Sequence, residues 1–304
     1  MQKEQIKQLV DRITGTQIKE PNQRVKAIVD RMLLDLFNVI DDFDVQPEEF
    51  WSALSYMTEL GQRNEYSLLS AGLGIDHYFD VRLDEKEAQV GIEPGSTPRT
   101  IEGPLYVAGA PVCHGEARLD DDTDKGEILF MDGQVTDTQG QPVAGALVEV
   151  WHANSLGNYS YFDKTQSAFN LRRSIVTDAE GRYRFRSIMP SGYGCPPDGP
   201  TQKLLDQLGR HGQRPAHIHF FVSAPGFRTL TTQINIQGDK YIYEDFAFAT
   251  RDELIPDVTH HTDQSALRDK GVDRPFATIT FNFALPHAVE GVPSTLIDRP
   301  RAAA

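Results

Sequence analysis

Cysteine is scarce. Cys113 and Cys195 are the only two in 304 residues, too few for a disulfide framework and typical of a reducing compartment. Positive charge is also in deficit: 30 Lys and Arg face 44 Asp and Glu, a formal net charge of −14. Such a surface repels nucleic acid and anionic lipid, so neither is expected as a bulk electrostatic partner. No apolar run approaches the ~18 residues of a membrane span, and residues 1–21 contain no apolar signal core. The expectation is a soluble, cytoplasmic protein without membrane insertion. Internal repeats and low-complexity segments are missing too. What remains, 39% hydrophobic and 24% charged residues, suits a buried core in one large domain or two smaller ones.

The first hundred residues read as helical. Asn22 is placed to cap a helix, and Val25, Ile28, Val29, Met32, Leu33, Leu36, Phe37 and Ile40 recur at three- and four-residue steps. They form one stripe, with Lys26, Asp30, Arg31 and Asp35 facing away. Pro47, Glu48 and Glu49 open a second helix with the stripe Phe50, Ala53, Leu54, Met57 and Leu60, and Gly61 is its expected stop. A third apolar segment, Leu68 to Tyr78, is interrupted by Gly72 and Gly74. The first stripe is longer than a small helical leader covers alone. It is buried within a bundle or shared with a second copy, and a homodimer through these helices is predicted.

After Gly95-Ser96-Thr97-Pro98 the apolar period changes from 3.6 to 2. Predicted strands run over Ile128 to Val135, Ala146 to His152, Arg182 to Met189, Ala216 to Ser223, Leu230 to Ile236 and Phe276 to Phe283. Turns such as Asp178-Ala179-Glu180-Gly181 separate them. The fold class expected is an all-β sandwich catalytic domain over residues 101–304, preceded by an α-helical domain over residues 1–100.

His217-Ile218-His219 lies inside a predicted strand, where alternation puts both imidazoles on one face with Phe221 and sets Ile218, Phe220 and Val222 on the other. The two histidines are half-exposed on a sheet surface, or they bind a metal. A cupin site would want a Glu four or five residues on, where Ser223 and Ala224 stand; a zinc site would want a third ligand, for which His211 is the candidate. Two tyrosines framed by glycine, Tyr159 after Gly157 and Tyr193 between Gly192 and Gly194, each follow a predicted strand end. Loop tyrosines are usually packing residues. Taken with the histidine pair, they suggest two phenolate and two imidazole ligands. A phenol with a pKa of roughly 10 ionises at neutral pH only beside a strong cation, and hard oxygen donors with imidazole favour Fe(III) over zinc or copper(I). Asp120 to Asp124 begins like a calcium loop, but Lys125 and Met131 stand where Gly and Glu are required, so it reads as a solvated loop.

Longer strings carry a resemblance: Thr97 to Tyr106, Trp151-His152-Ala153-Asn154, Arg172-Arg173-Ser174-Ile175, Gly192 to Pro197, Gly209 to His219 and Asp298-Arg299-Pro300-Arg301. Through them the chain resembles the intradiol ring-cleaving dioxygenases, of the catechol 1,2-dioxygenase type, nearly end to end. The resemblance implies a non-haem Fe(III) held by Tyr159, Tyr193, His217 and His219, with solvent hydroxide as fifth ligand and Tyr193 and His219 axial. It implies cleavage of catechol by O2 to cis,cis-muconate in aromatic-compound catabolism, with no nicotinamide or flavin. It assigns a catalytic role to Arg214 and to Tyr193 as a departing ligand. The matching pocket residues are Leu68, Ala71, Ile101, Pro104, Leu105, Gln233, Phe246 and Ala247, with Ala71 where some relatives carry Pro. A homodimer through the N-terminal helices, often with a phospholipid at the interface, is implied as well. Hydroxyquinol or chlorocatechol cleavage is the alternative within the family. Outside enzymes the alternative is a metal-containing β-sandwich binding module, which has little use for phenolates.

Overall fold

The computed structural model describes residues 3–15, 20–292, 294–296 and 301–303. The chain forms two compact units, Met1–Arg63 and Asn64–Ala304. The first holds three helices, α1 (Lys3–Ile13), α2 (Gln23–Phe43) and α3 (Pro47–Arg63). Asn22 caps α2 as expected, its side chain accepting the Val25 N–H at 3.1 Å. Asp44 closes α2 in the left-handed region. The α3 helix does not stop at Gly61. It continues to Arg63, and Asn64, at φ +56°, makes the turn instead. No residue of α2 is buried; Val25 is 54% and Met32 65% exposed.

The second unit begins with α4 (Tyr66–Gly72) and α5 (Ile75–Gln89), hinged at Gly74 with φ +72°. The strands follow: β1 (Val107–Ala108), β2 (Val112–His114), β3 (Glu116–Arg118), β4 (Ile128–Asp137), β5 (Leu147–His152), β6 (Arg172–Val176), β7 (Arg182–Ile188) and β8 (Tyr193–Gly194). After α6 (Pro200–Gln207) come β9 (Gln213–Arg214), β10 (His217–Ser223), β11 (Leu230–Asn235), β12 (Thr259–His261), α7 (Gln264–Lys270), β13 (Phe276–Thr280), β14 (Phe283–Leu285) and β15 (Ala302–Ala303). The change from helix to strand falls near residue 100, but the boundary between compact units falls earlier because α4 and α5 belong with the strands. Glu65 accepts the Thr201 N–H at 3.0 Å, and Gly72 lies so close to Phe246 that a Cβ would meet its ring at 3.3 Å.

The unit is a sandwich. One sheet has the order β11-β10-β5-β6-β2, the other β12-β13-β4-β7-β3 with β14 also on β4. Between them Val148, Val150, Ile175, Ile218, Phe220 and Ile234 meet Leu129, Met131, Phe185, Ile279 and Phe283 in one continuous core. The predicted strand Phe276 to Phe283 divides into β13 and β14. At the break Phe281 donates its N–H to the Asp132 carbonyl at 2.9 Å, and its own carbonyl fills the space where a Gly133 Cβ would be. Strand β6, which alternation did not mark in the sequence, lies between β5 and the edge strand β2 of the first sheet.

Candidate metal centre

Strand β10 carries both the core and the site. Ile218, Phe220 and Val222 enter the sandwich core, and His217 and His219, each 1% exposed, point the other way, as alternation requires. Tyr193 reaches the same place through a two-residue ladder, β8 against β9, which sets it opposite Arg214. Tyr159 arrives from the loop after β5. The glycines that frame the tyrosines let these loops nest. A Cβ on Gly192 would lie 2.5 Å from the Arg214 carbonyl oxygen, and one on Gly157, at φ +83°, would lie 2.9 Å from that of Gly192.

Four polar atoms converge. His217 Nε2 lies 3.4 Å from each of the Tyr159 and Tyr193 hydroxyls and 3.1 Å from His219 Nε2. The His217 Nδ1 proton goes to the Pro215 carbonyl at 2.7 Å, so Nε2 presents its lone pair inward. His219 stacks on Trp151 at 5.0 Å and 6°, and its Nδ1 is buried without a hydrogen-bond partner among the described residues. Either tautomer of His219 therefore leaves Nδ1 unsatisfied, and the Nδ1–H tautomer also sets its Nε2 lone pair against that of His217. A single His217 lone pair does not satisfy all these neighbours. A central ion does: donors about 2.0–2.1 Å from a metal stand about 2.9–3.4 Å apart. The donor set thus fits a resident cation, and two phenolic oxygens select a hard one.

The electrostatics agree. Burial, followed by the nearby Arg214, lowers His217 to about 3, and burial holds His219 well below its ordinary range, so both imidazoles are neutral and able to donate. Burial, followed by neighbouring Tyr193, pushes Tyr159 well above 10, so its phenol ionises only beside a strong positive charge. Among the described residues no group of three or more His, Cys, Asp or Glu converges, so the tyrosines are indispensable to any metal site here. His211, the third-ligand candidate, turns away: it accepts the Gln213 N–H at 3.1 Å, and its ring lies tilted at 45° against Tyr241, 4.9 Å between centroids.

Arg214 is fully enclosed. Its Nε and Nη2 donate to the two oxygens of Asp245 at 3.1 and 3.0 Å, Nη2 also to Gln233 Oε1 at 2.7 Å, and Nη1 points to His217 Nε2 at 3.0 Å. Burial would lower its pKa, but the Asp245 carboxylate outweighs this and holds the guanidinium protonated. The ion pair is a buried one, its two side chains 4% and 1% exposed. The predicted pocket residues Leu68, Ala71, Ile101, Phe246 and Ala247 gather in one apolar cluster, joined by Cys195 and Leu205. Leu105 belongs instead with Tyr159, Tyr193, Trp151 and Phe221, Gln233 joins through Arg214, and Pro104 is exposed. A cavity of about 570 Å³ beside α5 and β11 takes in Ile101 but none of the four donors. Sequence reasoning missed Asp245, in a stretch without periodicity, and any role for Trp151 or Arg172. The string Asp298-Arg299-Pro300 lies outside the described residues.

Two family models match the chain, "Dioxygenase" over residues 101–287 and "Catechol dioxygenase N terminus" over residues 22–91. The chain is 65% identical over 258 residues to a protein named catechol 1,2-dioxygenase 2 of Acinetobacter lwoffii, covering 85% of this chain and 94% of that one. It is 53% identical over 293 residues to a catechol 1,2-dioxygenase of Acinetobacter baylyi, covering 95% and 94%. The crystal structure of wild-type catechol 1,2-dioxygenase of Acinetobacter radioresistens superposes with a TM-score of 0.95 at 54% identity, covering 100% of this chain and 99% of that one.

Proposed function

The chain belongs to the catechol dioxygenase family, and from that premise we propose that it cleaves catechol between its two hydroxyl-bearing carbons, forming cis,cis-muconate. The observation that carries the reading is the convergence of Tyr159, Tyr193, His217 and His219 around one buried point. The family uses non-haem iron. Held by these four residues, ferric iron would supply Lewis acidity towards the catechol oxygens and a one-electron partner for the reaction of the ring with O2. The product is substrate plus both atoms of dioxygen, so the balance needs no external reductant.

The chain's own residues divide the remaining work. The apolar cluster of Leu68, Ala71, Ile101, Phe246 and Ala247 receives the ring and excludes water. Catechol must lose two protons on binding. Tyr193, held as a phenolate, is the better of the two tyrosines to accept one on its Oη, because it is only half-buried on a two-residue ladder whereas Tyr159 is 4% exposed, and solvent at the site takes the other. Arg214, fixed by Asp245 and Gln233, aims Nη1 at the donor cluster and opposes negative charge that grows on the ring and on the carbonyl oxygen. The exposed stripe of α2 supports pairing of two chains through the N-terminal helices, with a phospholipid as a further occupant of that interface. No helix among the described residues is long and apolar enough to cross a membrane, which accords with a cytoplasmic enzyme.

The test is turnover. Iron-loaded protein given catechol should consume one O2 per muconate formed and should show the visible colour of ferric tyrosinate. Faster turnover of hydroxyquinol or 4-chlorocatechol than of catechol would reassign the substrate, and a colourless, inactive protein loaded with iron would overturn the reading.

A further inference from the structure

Near the four donors, one buried cation is matched and one is not. Arg214 has Asp245. Arg172, at the start of β6 and 1% exposed, has no carboxylate partner among the described residues. Its Nε donates to Ser160 Oγ at 3.0 Å, Nη2 to the Ser160 carbonyl at 3.2 Å and Nη1 to the Leu105 carbonyl at 2.8 Å. Three neutral oxygens satisfy its geometry but not its charge, and a buried charge without an opposite one is costly. The guanidinium carbon stands 5.8 Å from the centroid of the Tyr159 ring.

The backbone on both sides of this contact is strained. Leu171, fully buried, has φ +59° immediately before Arg172, and Tyr161 has φ +72° immediately after Ser160. Bulky side chains rarely adopt that region, and such outliers persist where surrounding structure enforces them. Arg172 also pairs across the sheet with Trp151, whose indole stacks on His219. One layer therefore supports a histidine and a tyrosine of the candidate centre together.

We propose that Arg172 is a positioning residue for the metal centre: it pins the Tyr159 loop through Ser160 and places a standing positive charge beside the Tyr159 ring, so that a metal-bound phenolate there is its counter-ion. The inference rests on Tyr159 being an iron ligand. The simpler role, satisfying the Ser160 and Leu105 carbonyls and nothing more, predicts a loss of stability without an electronic effect. A charge beside the ring lowers the energy of the ring electrons that give ferric tyrosinate its colour, so losing it brings those electrons closer to the iron level.

The experiment compares visible spectra and iron release to a chelator for the wild-type holoenzyme and the variants Arg172→Met, Arg172→Lys and Ser160→Ala. Arg172→Met should shift the visible band to longer wavelength and release iron roughly 10-fold faster or more, the scale for residues that support a metal ligand. Arg172→Lys, which keeps the charge, should restore much of the band position. Ser160→Ala, which keeps the guanidinium and loses one acceptor, should melt earlier with the band unmoved. An unshifted band in Arg172→Met overturns the proposal, as does an equal shift in Ser160→Ala. If Arg172→Met does not fold, an Arg172→Lys band displaced as far as that of Tyr159→Phe overturns it, and a band close to wild type supports it. A wild type without the colour would sink the ligand reading instead, so the two failures are distinguishable.

Discussion

Removing the Asp245 carboxylate should separate what holds Arg214 from what Arg214 does. The pair is deeply enclosed, its side chains 4% and 1% exposed, with two hydrogen bonds near 3 Å. Asp245 is held below its ordinary pKa: burial would raise it, and Arg214 more than offsets this. Loss of one partner leaves a buried guanidinium uncompensated, at a cost of about 3–5 kcal/mol. Oδ1 also accepts the Ala247 N–H at 3.0 Å, and that bond is worth about 1 kcal/mol more. Asp245→Asn keeps the volume and an acceptor for Ala247, so its loss should be mainly electrostatic, about 3 kcal/mol. For a unit of this size that is a fall of about 6–12 °C in melting temperature at matched iron loading. Arg214→Met should cost a similar amount, and the double variant less than the sum, because the charge left behind is what is expensive. Turnover should fall on the order of 100-fold or more in every variant that loses or misdirects Arg214, the scale of one missing transition-state donor, while the visible band persists. Stability and turnover both near wild type in Asp245→Asn would refute the argument. A double-variant loss equal to the sum of the two single losses would refute the charge-balance part alone.

Tyr159→Phe should retain less iron and show a displaced visible band; full iron with an unchanged spectrum would remove Tyr159 from the ligand set. Leu36→Asp should convert a wild-type dimer into monomer or aggregate, and a monomeric wild type at micromolar concentration by light scattering would refute pairing through α2. Burial pushes the Asp80 pKa from 3.8 to about 7, and its Oδ2 is buried without a hydrogen-bond partner among the described residues. The folded chain therefore binds this proton more tightly than the unfolded one, and the stability it contributes, full below 3.8, is lost as pH rises towards 7. Asp80→Asn should flatten that slope and raise the melting temperature at pH 8, and a slope identical to wild type would rule Asp80 out as its source.

The sandwich was legible because its strands alternate. Leu129, Val148, Phe220 and Ile279 mark inward faces that a period of two reveals without any structure. The helix α5 was not, because Ile75–Gln89 carries charge on every face: it lies among ion pairs such as Arg99 with Asp84, so no single apolar stripe forms. Helix α7 did carry its signals, an Asp263 cap accepting the Ala266 N–H and a left-handed Gly271, but its seven residues are too few for periodicity to register. The proposed metal centre was legible where its candidate donors sit on regular or glycine-framed backbone. Its supports were not. Asp245 lies in coil, and Arg172 follows Leu171, whose left-handed backbone no local rule predicts.

That difference follows from how the site is built. A donor must present a particular atom, so its residue type and spacing carry information: two imidazoles at i and i+2 of a strand point one way. A supporting residue must only supply a charge or a hydrogen bond at the right place, and any element that passes nearby can deliver it. Here β6 delivers Arg172, the segment after β11 delivers Asp245, and β5 delivers Trp151, all to donors carried by β10 and the two tyrosine loops. The donors alone would form a crowded, half-satisfied polar cluster, with His219 Nδ1 already unpartnered. The two supporting charges differ: Arg214 is neutralised by Asp245, whereas Arg172 has no carboxylate partner among the described residues, and a Tyr159 phenolate is its proposed counter-ion. The asymmetry between the two arginines is therefore chemical information, since one matched and one unmatched cation beside a buried and a half-buried tyrosine is the charge pattern that the proposed phenolate would balance.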